Sequence, residues 1–264
     1  MTRVLLVDLA VVVAAMVATA VWSQRVRRFA VIDAAWGATY VLVAVVGALV
    51  AAGGDPWRRW LVTALVALWG ARLARHLFTR VSGAGHDDPR YEEMLGGRFE
   101  QVPFSRVVLK VFVLQGATIL LVGAPLVVGQ TSETRWPAAI GAGVVLWLVG
   151  VVFESVGDAQ LAAYRADPDR AAILDTGLWA WTRHPNYFGD ACVWWGVWLV
   201  GAVAAGPLPA LATVWAPLLM TWLLTVVSGA RLTERRMQGR PGWDDYAART
   251  PMFLPRPPQG RHAR

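Results

Sequence analysis

The run WTRHPNYFGD places arginine, histidine, asparagine, tyrosine and aspartate side chains directly before a strongly apolar segment. Pro185 fixes its own backbone and disfavours helical geometry at His184, so a helix is predicted to begin near Pro185. Free backbone amides at such a helix start, beside Arg183 and His184, form a natural site for an anion such as phosphate. Asn186 and Asp190 are four residues apart and lie on one helical face. A helix whose Arg and His are solvated among lipid headgroups would show the same pattern.

A second group of ionisable residues lies in the preceding segment, FESVGDAQLAAYR. Glu154, Asp158 and Arg165 share one helical face, because their spacings correspond to whole turns. Solvation or ion pairing at a helix end is one interpretation of this face. A carboxylate inside a membrane costs about 3 kcal/mol on insertion scales, so two of them beside an arginine favour a binding wall.

The C-terminal tail carries a third group, in the run SGARLTERRMQGRPGWDDYAARTPMFLP. A basic cluster lies directly after the last apolar segment and consists of Arg231, Glu234, Arg235 and Arg236. Anionic lipid headgroups are one explanation of such a cluster. The aromatic residues that follow, including Trp243 and Tyr246, stand among polar residues, so the tail is predicted to fold back rather than trail into solvent. A lipid tether would not need this segment.

Asp33, in the run IDAAWG, is the remaining candidate, and Tyr40 follows it two helical turns later. The aspartate lies near the predicted start of the second apolar segment. Its side chain is too short to extend to the headgroups as Lys and Arg do. A partner or a catalytic role is therefore the favoured interpretation. The other acids of the first two apolar segments and their connections are Asp8 and Asp55.

Membrane-spanning helices must position these groups, because the chain is too apolar for a soluble domain of 264 residues. It is 56% hydrophobic, with a mean hydropathy of +0.44 and 15 Trp. Hydrocarbon offers no partner to backbone amides, so long apolar runs without strand-like alternation predict an all-α polytopic bundle. The seven predicted spans are residues 4–22, 32–52, 57–78, 107–129, 136–156, 187–205 and 207–228.

The basic residues are distributed unevenly between the two sides of this predicted bundle. Alternate connections and the C-terminal tail, all on one side, carry 18 of the 25 Lys and Arg residues, and the other side carries 4. Because basic segments resist translocation, this bias predicts an N-terminus outside and a C-terminus in the cytoplasm of a bacterial inner membrane. The longer polar segments lie on the same side, so an active site is expected to face the cytoplasm.

The net charge of +7 is therefore mainly a topology signal, and nucleic acid is not an expected partner. The single cysteine, Cys192, permits no internal disulfide and no cysteine-based metal site. No two histidines have the helical spacing of a metal motif. Neither a metal nor an obligate protein partner is predicted.

Taken together and in this order, the C-terminal motifs resemble those of the steroid 5-alpha-reductase superfamily, and most closely its bacterial branch of unknown function. The motifs that carry the resemblance are FESVGDAQLAAYR, GLWAWTRHPNYFGD followed by a tryptophan pair, and RPGWDDYAARTPMFLP. The resemblance implies a seven-helix membrane enzyme that uses NADPH to reduce a carbon–carbon double bond conjugated to a carbonyl, in a steroid or another lipid. It also implies one integral membrane domain over residues 1–264, with residues 151–255 as its cofactor-binding half.

The resemblance assigns roles to individual residues. Glu154 takes the position of a polar residue that contacts the cofactor, and Asp158 and Arg165 match residues near the adenosine and the phosphates. Asn186 matches the residue near the nicotinamide end, with Asp190 as an acidic partner one turn on. The complete set of implied cofactor contacts is Glu154, Asp158, Arg165, Arg183, His184, Asn186, Tyr187, Asp190, Arg231, Glu234, Arg235 and Tyr246.

The chain departs from the family pattern at the proton donor. Steroid-reducing members use a Glu and a Tyr from early helices to stabilise the charge that builds on the carbonyl oxygen. Here the first glutamate is Glu92. Asp33 is the predicted substitute, with Tyr40 as its helper, because a carboxyl in apolar surroundings can stay protonated and donate. The same departure leaves the choice between a steroid and another lipid open.

Two other functional classes share some of these features. Membrane methyltransferases of the isoprenylcysteine carboxyl or phospholipid type, which use S-adenosylmethionine, also carry an RHP-x-Y-x-G turn and a Glu-Arg pair in the tail, here TERR. The run ESVGDAQLAAYR and the tryptophan pair favour the reductase. A lipid carrier would also fit seven spans, but the short outer connections and the lack of an inverted sequence repeat argue against it.

Overall fold

The structure is a computed structural model that describes residues 1–83, 87–227 and 229–258. The chain is all-α, and no strand occurs in these three ranges, which confirms the predicted fold class. Two compact units make up the chain. The N-terminal unit comprises Met1–Ile140 and Val197–Ala216, and the C-terminal unit comprises Gly141–Gly196 and Pro217–Arg264. The predicted cofactor-binding half, residues 151–255, falls in the C-terminal unit apart from Val197–Ala216.

Seven helical segments are long and apolar enough to cross a membrane, in agreement with the predicted number. They are Thr2–Val26, Val31–Val50, Pro56–Gly83, Phe104–Val122, Pro137–Ala166, Pro185–Ala205 and Pro207–Met237. The helices are numbered here as α1 (Thr2–Val26), α2 (Val31–Val50), α3 (Pro56–Gly83), α4 (Pro89–Leu95), α5 (Phe104–Val122), α6 (Ala124–Thr131), α7 (Pro137–Ala166), α8 (Pro185–Gly201), α9 (Pro207–Thr213), α10 (Trp215–Trp222), α11 (Ala230–Met237) and α12 (Trp243–Arg249).

The helix boundaries differ from the predicted ones where a helix and its apolar run end at different residues. The start of α8 at Pro185 confirms the prediction made from that proline. The fifth predicted span stops at residue 156, but α7 continues to Ala166, because its polar last turns consist mostly of good helix formers. The fourth predicted span, 107–129, is interrupted at Gly123. Helix α6 begins at Ala124 and has Pro125 in its first turn, where a proline has no amide hydrogen to continue the ladder. The predicted end of the last span, at residue 228, lies outside the described residues.

Close backbone contact organises the helices of the N-terminal unit. Gly37 of α2 and Gly70 of α3 lie face to face, and a Cβ atom at either position would collide with the backbone carbonyl of the other. Small residues let two helices approach in this way. At one end of the unit the Arg58 side chain is fully buried and donates to the carbonyl oxygens of Ser132 and Gly201. These carbonyls lie at the ends of α6 and α8. The last backbone carbonyl groups of a helix have no N–H partner within the helix, so they accept hydrogen bonds from other groups.

Candidate functional site in the C-terminal unit

Two long helices of the C-terminal unit, α7 and α8, meet along a seam of glycines. A Cβ atom at Gly189 would lie 2.5 Å from the backbone nitrogen of Glu154, and one at Gly196 would lie 2.7 Å from the carbonyl oxygen of Gly143. A side chain at either position would therefore push the helices apart. The seam consists of Gly143, Gly150 and Gly157 on α7 and of Gly189 and Gly196 on α8, at intervals of seven residues. It holds the polar end of α7 against the first turns of α8.

Asp158 and Asn186 meet across this seam. The Asn186 amide Nδ2 donates a hydrogen bond to Asp158 Oδ1 at 3.1 Å, which joins two motifs that lie apart in the sequence. Glu154 is 3% exposed, and Asp158 and Asp190 are each 9% exposed. Burying carboxyl groups is costly unless hydrogen bonds, charges or a ligand compensate. The unit therefore concentrates three buried acids on two helices that are in close contact.

Buried polar groups anchor the first turn of α8. The His184 backbone nitrogen donates to Thr182 Oγ1 at 3.3 Å, and Thr182 is fully buried. The Thr182 hydroxyl also lies within hydrogen-bond distance of the carbonyl oxygens of Met252 and Phe253, at 3.1 and 2.9 Å. The imidazole of His184 stacks on the ring of Tyr187, with centroids 5.3 Å apart and an angle of 4° between the planes. The residues before Pro185 are thus held by the tail.

Arg183 is held by a tail residue, Glu234 of α11. Arg183 Nε donates to Glu234 Oε1 at 2.7 Å, and Nη2 donates to Oε2 at 3.0 Å. Nη1 donates to the carbonyl oxygens of Ala247 and Thr250, at 2.8 and 2.5 Å. His184 Nε2 lies 3.1 Å from the same Glu234 Oε1. The sequence predicts that Arg183 and His184 lie beside an anion site. In the structure, the anionic group that they contact is the carboxylate of Glu234.

The tail folds back onto the segment before α8, as predicted. The backbone nitrogen of Arg183 donates to Pro251 O, and that of Arg256 donates to Trp181 O, each at 2.9 Å. The Tyr246 hydroxyl donates to the carbonyl oxygen of Trp179 at 2.7 Å. Burial raises the pKa of Tyr246, so this hydroxyl keeps its proton. Tyr246 therefore acts in the structure as a link between the tail and the loop, rather than as an exposed contact.

The loop in turn docks on α7 beside the acids. The Trp179 indole Nε1 donates to Gly157 O at 3.1 Å, and the Leu178 backbone nitrogen donates to Gln160 Oε1 at 3.0 Å. Gly177 has a φ of +59° and lies directly against the Gln160 side chain, so glycine is required there by both conformation and space. The sequence prediction did not include Gln160.

Three arginines of the candidate set are exposed. Arg165 lies in the last turn of α7, and Arg231 and Arg235 lie one turn apart on α11. Exposed guanidinium groups bind phosphate groups of lipids or of dissolved ligands through the same charge-assisted hydrogen bonds. The C-terminal unit therefore presents cations on its surface and acids in its interior.

Asp33 lies in the N-terminal unit, in surroundings that are more polar than the sequence predicts. Its Oδ2 accepts from Arg80 Nη2 at 3.0 Å and from Arg90 Nη2 at 3.3 Å, and its Oδ1 accepts from the Tyr91 hydroxyl at 2.6 Å. Burial and the negative charge of Asp33 raise the pKa of Tyr91 well above its ordinary value. The apolar surroundings assumed for Asp33 are not observed, because the segment of residues 87–91 contacts the start of α2. Asp87 from that segment accepts from the backbone nitrogen of Ala30 at 2.9 Å.

Tyr40, the predicted helper of Asp33, is fully buried two turns further along α2. Its hydroxyl donates to the carbonyl oxygen of Ile119 at 3.3 Å, and its ring contacts Trp36 and Trp69 edge to face. Tyr91, which the sequence prediction did not include, is the tyrosine that contacts Asp33. No local pattern around Tyr91 indicates this contact, which joins residues 58 positions apart.

Within the described ranges, no group of three or more His, Cys, Asp or Glu side chains could hold a metal ion. The chemistry that the C-terminal unit can supply is hydrogen bonding by Asn186 and the buried acids, and charge neutralisation by the exposed arginines.

Comparison with known proteins gives one family and one relative of note. The family model described as a protein of unknown function (DUF1295) matches residues 19–250. The nickel-cobalt-cadmium resistance protein NccN of Alcaligenes xylosoxydans xylosoxydans is 28% identical over 128 residues, which cover 48% of this chain and 55% of that protein. The match thus spans about half the length of this relative. Comparison with solved structures found no match.

Proposed function

The chain belongs to the DUF1295 family, and we propose that this member is a membrane-embedded reductase that uses NADPH to reduce a carbon–carbon double bond conjugated to a carbonyl, in a steroid or another lipid. The observation that carries the proposal is the hydrogen bond between Asn186 and Asp158. It joins the two motifs to which the steroid 5-alpha-reductase resemblance assigns contacts with the cofactor. The charge bias of the connections supports an inner-membrane site that faces the cytoplasm.

The residues of the C-terminal unit suit a dinucleotide with phosphate groups. NADPH carries a pyrophosphate and a 2′-phosphate, and the exposed side chains of Arg165, Arg231 and Arg235 supply cations for them. Ribose hydroxyls donate to carboxylates, and Glu154 and Asp158 supply such acceptors. Arg183 and His184 are not needed as direct contacts, because both hold Glu234.

NADPH supplies a hydride when it is bound, and the chain must orient the cofactor and polarise the substrate carbonyl. We assign orientation of the cofactor to Asn186, whose amide is fixed by Asp158. We assign polarisation of the carbonyl to the protonated hydroxyl of Tyr91, and we assign positioning of that hydroxyl to Asp33, which accepts from it at 2.6 Å. An O–H donor aimed at the carbonyl oxygen stabilises the negative charge that develops there.

Cofactor binding by the full-length protein in detergent micelles tests this proposal. Asn186→Ala and Arg165→Ala should each weaken NADPH binding about tenfold, which corresponds to the loss of one good hydrogen bond. Arg165→Ala should weaken NADPH binding more than NADH binding if the guanidinium meets the 2′-phosphate. Arg240→Ala, an exposed arginine of the same tail, is the matched control. Wild-type affinity in both test variants would refute the cofactor assignment.

One observation favours a second candidate, a membrane methyltransferase that uses S-adenosylmethionine. The two motifs shared with that class, the RHP turn and the tail Glu, are in direct contact through Arg183, His184 and Glu234. Titration of the wild-type protein with each cofactor separates the candidates. Saturable binding of S-adenosylmethionine without binding of NADPH would reject the reductase, and the opposite result would reject the methyltransferase.

A further inference from the structure

A buried carboxyl group lies near the start of the first helix, far along the chain from the candidate cofactor site. Asp8 is 2% exposed and belongs to the buried face of α1, in line with Val4, Val12 and Met16. It is about 9 Å from the helix start, at 1.5 Å per residue. Among the described residues, none provides a hydrogen-bond partner for Asp8 Oδ1.

Gln130 of α6 presents a second buried oxygen. Its side chain is fully buried, and its Nε2 donates to Ala44 O at 2.8 Å and to Thr63 Oγ1 at 3.0 Å. A backbone carbonyl can only accept, so the amide nitrogen must face Ala44 and the amide oxygen must face away. Within the described part of the chain, this Oε1 atom also lacks a hydrogen-bond donor.

Both oxygens face the same small space above Gly47 of α2. A Cβ atom at Gly47 would lie 2.7 Å from Gln130 Oε1 and 3.1 Å from Asp8 Oδ1. Two acceptors that border one small buried space repel unless a donor or a cation lies between them. The absence of a side chain at Gly47 is what leaves room for the pair.

The described charged groups around this space do not supply the missing donor. Arg59 Nε donates to the backbone oxygen of Gln130 at 3.1 Å, and Arg58 donates to Ser132 O and Gly201 O. Gly116 of α5 lies against Met16, which is two helical turns beyond Asp8 on α1. The basic residues near the start of α5, Arg106 and Lys110, are therefore farther from Asp8 than Gly116 is. The titratable groups on α1 and on the helices packed around it are Arg3, Arg25, Asp33, Tyr40, Arg58, Arg59, Arg72, Arg75, His76, Arg80, Arg106 and Lys110.

We propose that Asp8 and Gln130 form an intramembrane proton-binding site, in which Asp8 is a neutral carboxyl group that donates its O–H to Gln130 Oε1. A proton turns one of the two facing acceptors into a donor, which satisfies both oxygens at once. It also removes the cost of an ionised carboxylate in a buried region where none of the described cations is directed at it. The proton thereby joins α1 to α6 inside the N-terminal unit. The site uses no residue of the proposed cofactor site, so its test is independent of the proposed reductase activity.

Infrared difference spectroscopy on the full-length protein in lipid nanodiscs tests this site. The wild-type spectrum minus that of Asp8→Asn at neutral pH should show the C=O stretch of a protonated carboxyl group, lost in the variant. The amide introduced by this substitution keeps a donor for Gln130 Oε1, so the variant should unfold at a temperature close to that of the wild type. Gln130→Met should shift the carboxyl band to higher frequency, because the hydrogen bond from the carboxyl group is lost.

A second carboxyl group of the same unit is the matched control. Asp55 Oδ2 accepts from Thr134 N at 2.7 Å, and hydrogen bonds with Thr134 lower the pKa of Asp55. Asp55→Asn should therefore remove carboxylate bands and no protonated-carboxyl band. The proposal is overturned if Asp8→Asn also removes only carboxylate bands. It is likewise overturned if sodium chloride, compared with choline chloride, stabilises the wild type but not Asp8→Asn, because the two oxygens then hold a metal cation.

Discussion

Glu234 binds Arg183 through both of its carboxylate oxygens, although 51 residues separate the two positions. The side chains are largely buried, with exposures of 19% for Glu234 and 12% for Arg183. His184 contacts the same carboxylate, so one tail residue holds both charged groups that precede α8. The pair fixes the tail against the start of that helix, next to Asn186.

Truncation of either member of this pair should be strongly destabilising. Glu234→Ala or Arg183→Ala leaves the other charge buried without its partner, which costs about 3 kcal/mol. The double variant should lose less than the sum of the two single losses, because the second truncation removes the stranded charge. Denaturant unfolding in detergent micelles measures these losses. Arg240→Ala should unfold as the wild type does, and simple additivity in the double variant would mean that the pair does not interact energetically.

The glycine seam between α7 and α8 should tolerate no added methyl group at its centre. In Gly189→Ala the new Cβ lies 2.5 Å from backbone atoms of α7, so the helices must separate. Overpacking of this kind costs about 1 to 3 kcal/mol, and the separation should also weaken cofactor binding through Asn186. Gly141→Ala is the matched control, since no atom lies within 4 Å of a Cβ at that position of α7. Thermal unfolding and cofactor titration report the two effects, and equal behaviour of the two variants would contradict the seam.

Tyr246 should make docking of the tail sensitive to alkaline pH. Burial raises its pKa, so the hydroxyl contributes fully below the unfolded value of about 10, and the contribution is lost as pH rises through the raised value. Tyr246→Phe should cost about 1 kcal/mol at neutral pH through loss of the bond to Trp179 O. The difference in unfolding temperature between the two proteins should then shrink above about pH 10. A constant difference across that window would show that the hydroxyl does not titrate with unfolding.

Asp33 should affect turnover more than cofactor binding. If it positions the Tyr91 hydroxyl that polarises the substrate, Asp33→Ala lowers the rate of reduction about a hundredfold and leaves NADPH affinity unchanged. Arg80→Gln, which removes one exposed partner of the same carboxylate, should change the rate far less. Single-turnover measurements with the identified substrate provide the rates. A variant with a lowered unfolding temperature and a normal rate would show that Asp33 is structural.

The membrane architecture was predictable because it depends on local composition. Apolar length gives the seven spans, and Pro185 gives the start of α8, since each signal acts on neighbouring residues. The length of α7 was underestimated. Hydropathy indicates which residues a bilayer accommodates, whereas residues with high helix propensity continue beyond the apolar run to Ala166.

The contacts of the site were predictable only in part. The shared face of Glu154 and Asp158 follows from helical spacing, but their approach to Asn186 depends on packing between α7 and α8. The glycines at intervals of seven residues on both helices carry that information in the sequence, and they were not part of the prediction. The partners of Arg183 and Asp33 lie 51 and 58 residues away, at separations where neither periodicity nor turn chemistry operates.

The distance in sequence between Arg183 and Glu234 also sets an order of events during synthesis. Arg183 leaves the ribosome well before Glu234 does. The last apolar segment must also enter the membrane before Glu234 can contact Arg183. A nascent chain that stops short of residue 234 therefore carries an uncompensated guanidinium at the start of α8.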